Sequence, residues 1–239
     1  MQRILISGGS RGIGRACVEA FSAAGNAVAF IYHTNEIAAA EVAAITGATP
    51  IRADITDPEQ VRQAVAKAET ALGGVPDVLV NNAAISYIGQ MQDMTDEQWR
   101  QVLDTNLSGA FYFSRALVPG MVARGSGAII HIGSMWGKVG ASCEVAYSAT
   151  KAALRGMTLA MAKELGPSHI TVNCVEPGLI ATDMNAALDS ATVAALCDET
   201  PLCRMGTPAE VAAAVTFLAS PAARFITGQM LGVDGGLAL

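Results

Sequence analysis

Short apolar runs alternate with longer amphipathic stretches along the whole chain, and this alternation constrains the fold more than any other feature of the sequence. The apolar runs predict strands at Ile4–Ser7, Ala27–Tyr32, Ile51–Arg52, Val78–Asn81, Ala128–Ile132, Thr171–Val175 and Met230–Val233. The stretches between them predict helices at 11–24, 37–46, 58–72, from 95 onward, 105–123, 147–166 and 211–219. Strands and helices in this order form a parallel sheet with helices on both faces, so we expect a doubly wound, Rossmann-type α/β fold.

Charge, histidine and cysteine content argue against several classes of protein. The formal net charge of −6 argues against a nucleic-acid partner, which would require a basic surface. The five cysteines are odd in number and lack metal-ligand spacing, and His33, His131 and His169 are scattered, so we expect free thiols in a reducing compartment and no metal site. The sequence has neither a leader pattern nor an apolar run of membrane-spanning length, which predicts a cytoplasmic protein that does not enter the membrane.

A glycine-rich loop follows the first predicted strand and leads directly into the first helix. It reads Gly8-Gly9-Ser10-Arg11-Gly12-Ile13-Gly14. Glycines let the backbone approach a diphosphate, and a helix N-terminus offers free N–H groups and a partial positive charge. The alternative is a turn in which the glycines serve only the backbone geometry. The order of strand, loop and helix favours a dinucleotide site.

The residues after the second strand bear on the choice of dinucleotide. An NAD site needs an acid there for the ribose 2′-hydroxyl, but the chain reads Tyr32-His33-Thr34-Asn35 and has its nearest acid, Glu36, further on. Arg11, Thr34 and His33 would instead receive a 2′-phosphate. We therefore predict NADPH as the cofactor, the alternative being that Arg11 is only a solvated loop residue.

A tyrosine and a lysine four residues apart, Tyr147 and Lys151, would share one face of a helix. A neighbouring ammonium lowers the pKa of a phenol, which suits Tyr147 to donate a proton to a carbonyl oxygen. Ser134 follows a buried strand, where it would reach the same carbonyl, and Asn106 lies in the helix after the fourth strand. The structural alternatives are a surface pair of Tyr and Lys, a turn cap at Ser134 and a buried amide at Asn106.

Together these motifs resemble those of the short-chain dehydrogenase/reductase family. The matching elements, in order and spacing, are Gly8-x-x-x-Gly12-x-Gly14, Asn81-Asn82-Ala83-Ala84, Asn106, Ser134, Tyr147-x-x-x-Lys151 and Pro177-Gly178. The match spans essentially the whole chain, with one departure at Ala84, where the family usually has glycine. No linker, low-complexity tract or internal repeat interrupts the pattern, which predicts a single domain over 1–239. The resemblance implies a cofactor-binding part at about 1–130 and a catalytic and substrate part at about 131–239.

The resemblance also implies a role for each matching residue. Tyr147 would be the proton donor, and Lys151 would bind the nicotinamide ribose and lower the pKa of that phenol. Ser134 would polarise the substrate carbonyl, and Asn106 would hold a water of the proton relay. The other implied cofactor contacts are Asp54 and Ile55 beside the adenine, Asn82 and Ala83 in the cleft, and Pro177, Gly178, Ile180 and Thr182 over the nicotinamide amide.

The part of the chain from Pro201 to Gly236 resembles bacterial 3-oxoacyl-acyl-carrier-protein reductases. This resemblance predicts a 3-oxoacyl thioester as substrate and acyl-carrier protein as partner. An acidic carrier should meet a basic patch, and the reductases that this part resembles tend to have cations near the ends of the two long helices. Arg124 is near the first of these ends, but Ser168 and His169 occupy the second, so the carrier partner stays open.

The segment from Ser134 to Tyr147 resembles instead reductases that act on the 5-aminopentanone group of elongation factor P. Trp136, Cys143 and Glu144 would then border the substrate mouth, and the Glu144 carboxylate would attract an aminoketone. The alternatives are that Trp136 packs within its loop and that Glu144 is a solvated surface charge.

Residues 182–206 would form a flexible lid over the substrate. Within this lid, Met184, Leu188 and Leu196 indicate an amphipathic helix. The sequence alone does not define what the lid would close on.

The resemblance implies a symmetric homotetramer or dimer that pairs through its long helices at about 96–124 and 147–166. A non-catalytic NADP-sensing protein on the same fold is the alternative from another functional class. A sensor would have no need for the complete set of polar residues that suits catalysis, which is Asn106, Ser134, Tyr147 and Lys151.

Overall fold

The computed structural model describes residues 1–186 and 188–238, and these contain one parallel sheet of seven strands. The strands are β1 (Arg3–Ser7), β2 (Ala27–Tyr32), β3 (Thr49–Arg52), β4 (Val78–Asn81), β5 (Gly127–Ile132), β6 (Ile170–Pro177) and β7 (Met230–Val233). They lie in the order β3-β2-β1-β4-β5-β6-β7, so the direction in which strands are added reverses beside β1. A crevice opens at the carboxyl ends of the strands at such a reversal.

Helices connect the strands and cover both faces of the sheet. They are α1 (Gly12–Ala23), α2 (Glu36–Thr46), α3 (Pro58–Leu72), α4 (Asp96–Leu103), α5 (Gly109–Arg124), α6 (Trp136–Val139), α7 (Val145–Leu165), α8 (Ser190–Glu199) and α9 (Pro208–Ala219). Along β1, Ile4 and Ile6 pack on one face with residues of α1 and α9, whereas Leu5 packs on the other with residues of α3 and α5. The predicted doubly wound α/β fold with helices on both faces is confirmed.

The helix starts follow the capping chemistry of the sequence. Asp57 accepts hydrogen bonds from the N–H groups of Glu59 and Gln60 at the start of α3, and Pro58 takes the first helical position. Thr95 and Gln98 form a reciprocal capping box at the start of α4. Both predicted helix starts are therefore confirmed.

The predicted helix at 105–123 differs from the structure in an informative way. The chain runs helically from α4 into α5 through one turn of π-helix, Asp104–Ser108, in which the N–H of Gly109 donates to the carbonyl of Asp104. A π turn holds one more residue than an α turn, and such turns occur often at functional sites. Other bounds shift slightly as well. Arg11 precedes α1 as its N-cap, α7 begins at Val145 rather than Tyr147, and α9 begins at Pro208 rather than Val211.

The amphipathic helix predicted within the lid agrees only in part with the structure. Of the three apolar residues expected on it, only Leu196 lies in α8. Met184 lies instead in a short 3-10 turn, Asp183–Asn185, and Leu188 precedes the N-cap residue Asp189, whose side chain accepts a hydrogen bond from the N–H of Thr192. Apolar spacing did not locate the helix, because its start is set by this capping aspartate. Residue 187 of the expected lid lies outside the described residues.

Candidate active site

A cleft of about 810 Å³ opens at the carboxyl ends of the central strands. All residues expected to contact a cofactor line it except Gly14; those that do are Gly8, Ser10, Arg11, Gly12, Ile13, His33, Thr34, Asp54, Ile55, Asn82, Ala83, Tyr147, Lys151, Pro177, Gly178, Ile180 and Thr182. Of the other expected site residues, Ser134, Trp136 and Glu144 also line the cleft, whereas Asn106 and Cys143 do not. The structure thus brings most of the expected site residues to one cleft.

The glycine loop has the geometry that a diphosphate requires. Gly8 and Gly12 have φ angles of +69° and +54°, which residues other than glycine rarely adopt. A Cβ atom on Gly14 would lie 2.0 Å from the carbonyl oxygen of Gly8, so Gly14 allows α1 to pack against the loop rather than lining the cleft. The first turn of α1 contains no acidic residue, so its free N–H groups present a positive end to the cleft. The loop therefore fits a dinucleotide diphosphate.

Hydrogen bonds fasten this loop to the end of β4. The Asn82 side chain donates to the carbonyl oxygens of Ser7 and Gly8, each at 3.0 Å. The Ser7 hydroxyl in turn accepts from the N–H groups of Asn82 and Ala83 at 3.0 and 3.1 Å. Asn82 therefore shapes the cleft by holding its wall together, and Ser7 is a supporting residue that sequence reasoning missed.

The opposite end of the cleft, next to β2 and β3, carries mixed charge. Arg11 is exposed at its edge. His33 Nε2 lies 3.9 Å from Asp54 Oδ2, and the other oxygen of Asp54 accepts from the N–H and hydroxyl of Thr56 at 2.9 and 2.8 Å. Asn35 also lines the cleft, although its side-chain oxygen caps α2 by accepting from the N–H of Ala38. Arg11, His33 and Thr34 therefore line the cleft together with the carboxylate of Asp54.

Lys151 and Tyr147 are buried on the first turns of α7. The Lys151 ammonium donates to the carbonyl oxygen of Ile132 at 2.7 Å, at the end of β5. The same nitrogen lies 5.4 Å from the centre of the Tyr147 ring. Ser134 lies between these elements, with its hydroxyl accepting from the N–H of Trp136 at 3.2 Å. Helix α7 and the loop after β5 thus bring the expected hydroxyl, phenol and ammonium together.

Burial is the largest influence on the pKa values of Tyr147 and Lys151. It raises the pKa of Tyr147 to about 12; a hydrogen bond with Ser134 opposes the rise, and the negative charge of Glu144 adds to it. Burial lowers the pKa of Lys151 to about 8, against a smaller opposing effect of Cys174. Loss of water around the phenol is thus the largest influence on its pKa, and the lowering of that pKa by Lys151 stays a prediction. At neutral pH the phenol carries the proton that a donor needs.

Asn106 occupies the π turn and connects three parts of the site. It is 2% exposed. Its side-chain oxygen accepts from the N–H of Ile85, and its side-chain nitrogen donates to the carbonyl of Ile85 and to the hydroxyl of Thr150 at 2.9 and 3.2 Å. These bonds hold the segment after β4 against α7. The water-holding role of Asn106 stays a prediction.

The substrate end of the cleft combines carboxylates with apolar side chains. Glu144 Oε2 accepts a hydrogen bond from the Ser86 hydroxyl at 2.6 Å. Asp183 and Asp189 line the same end, together with apolar residues that are Ile88, Trp136, Met184, Leu188 and Leu196. Glu144 is therefore a half-buried, hydrogen-bonded group of the cleft wall and not a solvated charge.

Cys143 corrects one expectation about this mouth. Its φ angle is +63°, and its carbonyl accepts from the N–H of Gly89 at 2.9 Å, which anchors the segment that carries Ser86. The thiol lies 3.8 Å from the Ser142 hydroxyl rather than lining the cleft. Sequence reasoning missed Ser86 because its contact with Glu144 joins residues 58 positions apart.

Comparisons with known proteins agree with this geometry. Residues 8–238 match the family model described as enoyl-(acyl carrier protein) reductase. The chain is 39% identical over 235 residues to the 3-oxoacyl-[acyl-carrier-protein] reductase FabG of Vibrio cholerae, covering 98% of this chain and 96% of that one. It is 40% identical over 238 residues to the acetoacetyl-CoA reductase of Shinella zoogloeoides, covering 99% and 98% of the two chains.

Solved structures agree as well. The crystal structure of a 3-oxoacyl-[acyl-carrier protein] reductase from Brucella melitensis superposes with a TM-score of 0.93 at 36% identity, covering 100% of this chain and 91% of that one. The chain belongs to the short-chain dehydrogenase/reductase family. It is thus an oxidoreductase of the class that interconverts carbonyl and alcohol groups with a nicotinamide cofactor.

Two searches of the described residues bear on other classes of site. Within 1–186 and 188–238, none of the helices combines the length and apolar character needed to cross a bilayer. The same residues bring together no group of three or more metal-binding side chains.

Replacing Lys151 with Met is expected to stabilise the protein. Because the pKa of Lys151 falls from 10.5 to about 8 on folding, the cost of burying its charge is full below about pH 8, shrinks as pH rises and vanishes above 10.5. That cost is about 3 kcal/mol, and the lost bond to Ile132 offsets roughly 1 of it, so we expect a gain of about 1–2 kcal/mol.

Thermal unfolding of Lys151→Met and the parent protein between pH 6 and 10 checks this. The gain should be largest below pH 8 and shrink towards pH 10. Lys67→Met, an exposed position on α3, is the matched control and should change stability little. A Lys151→Met variant that is less stable at pH 7 would contradict the description of Lys151 as a buried charge.

Proposed function

We propose that this protein reduces a ketone to a secondary alcohol with NADPH. The observation that carries the proposal is the buried group of Ser134, Tyr147 and Lys151 beside a glycine loop that fits a diphosphate. A protein that only senses the dinucleotide would need the loop but not this costly set of buried polar groups. The family assignment supports the same reaction class.

In the proposed mechanism each residue acts on the carbonyl oxygen or on its proton donor. The Ser134 hydroxyl donates a hydrogen bond to the substrate carbonyl and so orients it. Tyr147 gives its phenolic proton to the carbonyl oxygen as negative charge develops there. Lys151, an ammonium at neutral pH, stabilises the phenolate that remains. When bound, NADPH would supply a hydride for the carbonyl carbon; together with the proton from Tyr147 this gives an alcohol with two more hydrogen atoms.

The cofactor would be held along the whole cleft. The glycine loop from Gly8 to Gly14 would bind the diphosphate, with Asp54 and Ile55 beside the adenine. Asn82 and Ala83 would form the wall between the two nucleotides. The Lys151 side chain would reach the nicotinamide ribose, and the segment with Pro177, Gly178, Ile180 and Thr182 would cover the nicotinamide amide.

Tyr147→Phe is expected to abolish most turnover while leaving cofactor binding intact. The change removes only the proton donor, and general acid catalysis contributes about 10²–10⁴-fold, so kcat should fall by at least about a hundredfold. Steady-state NADPH oxidation measures kcat, and fluorescence of bound NADPH measures its Kd. Tyr112→Phe on α5, outside the cleft, is the matched control. Normal turnover by Tyr147→Phe would eliminate the mechanism.

Arg11→Ala is expected to weaken NADPH far more than NADH. The argument is electrostatic, since Arg11, His33 and Thr34 line the cleft at the end of β2, where a 2′-phosphate would lie. Loss of one charge-assisted contact corresponds to roughly a tenfold or greater rise in Kd for NADPH. Arg62→Ala, an exposed position on α3, should leave both affinities unchanged. Equal losses for the two dinucleotides in Arg11→Ala would remove the case for phosphate recognition.

A 3-oxoacyl thioester is the first candidate substrate. The curated relatives with 38–40% identity include enzymes named 3-oxoacyl-[acyl-carrier-protein] reductase and acetoacetyl-CoA reductase. The apolar side chains at the substrate end of the cleft suit an acyl chain. Acyl-carrier protein is the partner proposed for this substrate.

The carboxylates of the cleft favour a second candidate, the 5-aminopentanone group of elongation factor P. Glu144, hydrogen-bonded to Ser86, would pair with the ammonium of an aminoketone. Asp183 and Asp189 add negative charge at the same end of the cleft, which would oppose an acidic carrier and its phosphopantetheine. A 3-oxoacyl thioester would make no favourable contact with this negative charge, whereas an aminoketone would.

Glu144→Gln is expected to change substrate preference. If the carboxylate binds an ammonium, kcat/KM for the aminopentanone on elongation factor P should fall by about tenfold or more. For acetoacetyl-CoA, whose phosphates are negative, kcat/KM should stay level or rise. Glu41→Gln, exposed on α2, is the control. Equal effects on the two ketones would remove the proposed contact between Glu144 and an ammonium.

We also propose a symmetric homotetramer or dimer in the cytoplasm. Helices α5 and α7 leave large apolar side chains exposed, namely Phe111 at 45%, Val122 at 43% and Leu159 at 47%. Pairing of two copies through these helices would remove that surface from water.

A further inference from the structure

An ion pair joins helix α7, which carries Tyr147 and Lys151, to strand β6. Arg155 Nη1 of α7 is 2.6 Å from both carboxylate oxygens of Glu176 on β6. The Glu176 side chain is 6% exposed and that of Arg155 is 30% exposed. Arg155 follows Lys151 by one helical turn, and Glu176 immediately precedes Pro177 and Gly178 in the cleft wall. The pair therefore joins the two elements that meet at the nicotinamide end of the cleft.

The surroundings leave Glu176 little freedom. Cys174 and Glu176 are two residues apart on β6, so their side chains point to the same face of the sheet. A Cβ atom on Gly133 would lie 2.7 Å from Cys174 Sγ and 3.2 Å from Glu176 Cγ, so these side chains fill the space beside the loop after β5. A carboxylate buried in this way is costly unless a cation meets it, and Arg155 is the residue that does so.

We propose that Arg155 and Glu176 are positioning residues, whose ion pair fixes helix α7, and with it Lys151 and Tyr147, against the strand end that carries Pro177 and Gly178. The inference rests on the proposed function. Neither residue lines the cleft, so both act through the groups they hold. Displacement of reacting groups by even 1 Å can cost about a hundredfold in rate, which makes a stiff connection at this point valuable.

The pair also balances charge around Lys151. The titratable groups in contact with Lys151 or affected by its charge are Tyr147 of α7, His131 of β5 and Cys174 of β6. Arg155 lies one turn further along α7, and Glu176 is two residues beyond Cys174 on the same face of β6. Glu176 is the carboxylate of this set. Without it, two cations would stand one turn apart on one helix without a counter-charge.

The test compares Glu176→Gln with the double variant Arg155→Met/Glu176→Gln. Glu176→Gln leaves an unpaired cation and should lower both Tm and kcat. The double variant leaves no unpaired charge, so its Tm should recover, but without the ion pair its kcat should stay at least about tenfold below that of the parent. Recovery of kcat together with Tm would show that the pair only stabilises the fold, and would overturn the proposal.

A second ion pair, at the amino ends of the strands and so away from the cleft, provides the control. Arg3 Nη2 lies 2.9 Å from Asp77 Oδ1 at the amino ends of β1 and β4, far from the cleft. Asp77→Asn should lower Tm and leave kcat unchanged in the folded protein. A fall in kcat for Asp77→Asn equal to that for Glu176→Gln would count against a specific role of the Arg155–Glu176 pair.

A second readout does not depend on turnover. The chain has four lysines, so NMR titration of labelled lysine side chains can follow Lys151, assigned by its loss in Lys151→Met. We expect Lys151 in Glu176→Gln to titrate at lower pH than in the parent protein and to move back in the double variant. An unchanged titration would overturn the charge-balancing part of the proposal. Failure of the parent protein to reduce any ketone would refute the proposed function separately, without affecting this titration.

Discussion

The reversal of strand order beside β1 is the constraint on which the rest of the structure depends. Right-handed crossovers lead from β1 to β2 and β3 on one side and to β4 through β7 on the other, so the connections diverge and leave a crevice at the carboxyl ends. Ser7 at the end of β1 and Asn82 after β4 are hydrogen-bonded across this crevice. The glycine loop, the end of β5 and the end of β6 all open into the same space.

Within that space the protein buries polar groups that a stability-optimised core would not contain. Lys151 and Tyr147 are both shielded from water, and the pKa values of about 8 and about 12 record the cost of removing water from them. The Arg155–Glu176 pair and the bonds of Asn106 hold the helices around these groups. Sites whose chemistry requires buried polar groups commonly lower stability in this way.

The element types were predictable because local periodicity and capping residues determine them. Asp57 and Thr95 mark the starts of α3 and α4 in the sequence itself, and the buried strands read as continuous apolar runs. The glycine loop and the spacing of Tyr147 and Lys151 likewise depend on neighbours within a few residues. Bounds shifted by a few residues, as at Val145 and Pro208, because helix ends depend on their surroundings.

The remaining features depend on contacts between distant residues. Glu144 and Ser86 are 58 positions apart, and Arg155 and Glu176 are 21 apart, so no local pattern connects them. The π turn at Asp104–Ser108 adds one residue to an otherwise helical stretch, which apolar spacing does not reveal. The raised pKa of Tyr147 follows from burial, whereas the spacing of Tyr147 and Lys151 conveys only the proximity of a charge.

The most direct test of the account is a single-turnover reaction of the purified protein with NADPH and a ketone, followed by mass spectrometry of the product. Acetoacetyl-CoA and elongation factor P carrying the aminopentanone would be offered separately. The account predicts that at least one gains two hydrogen atoms as one NADPH is oxidised. Tight NADPH binding without any change in the mass of either ketone would contradict it, and would favour a protein that senses the dinucleotide.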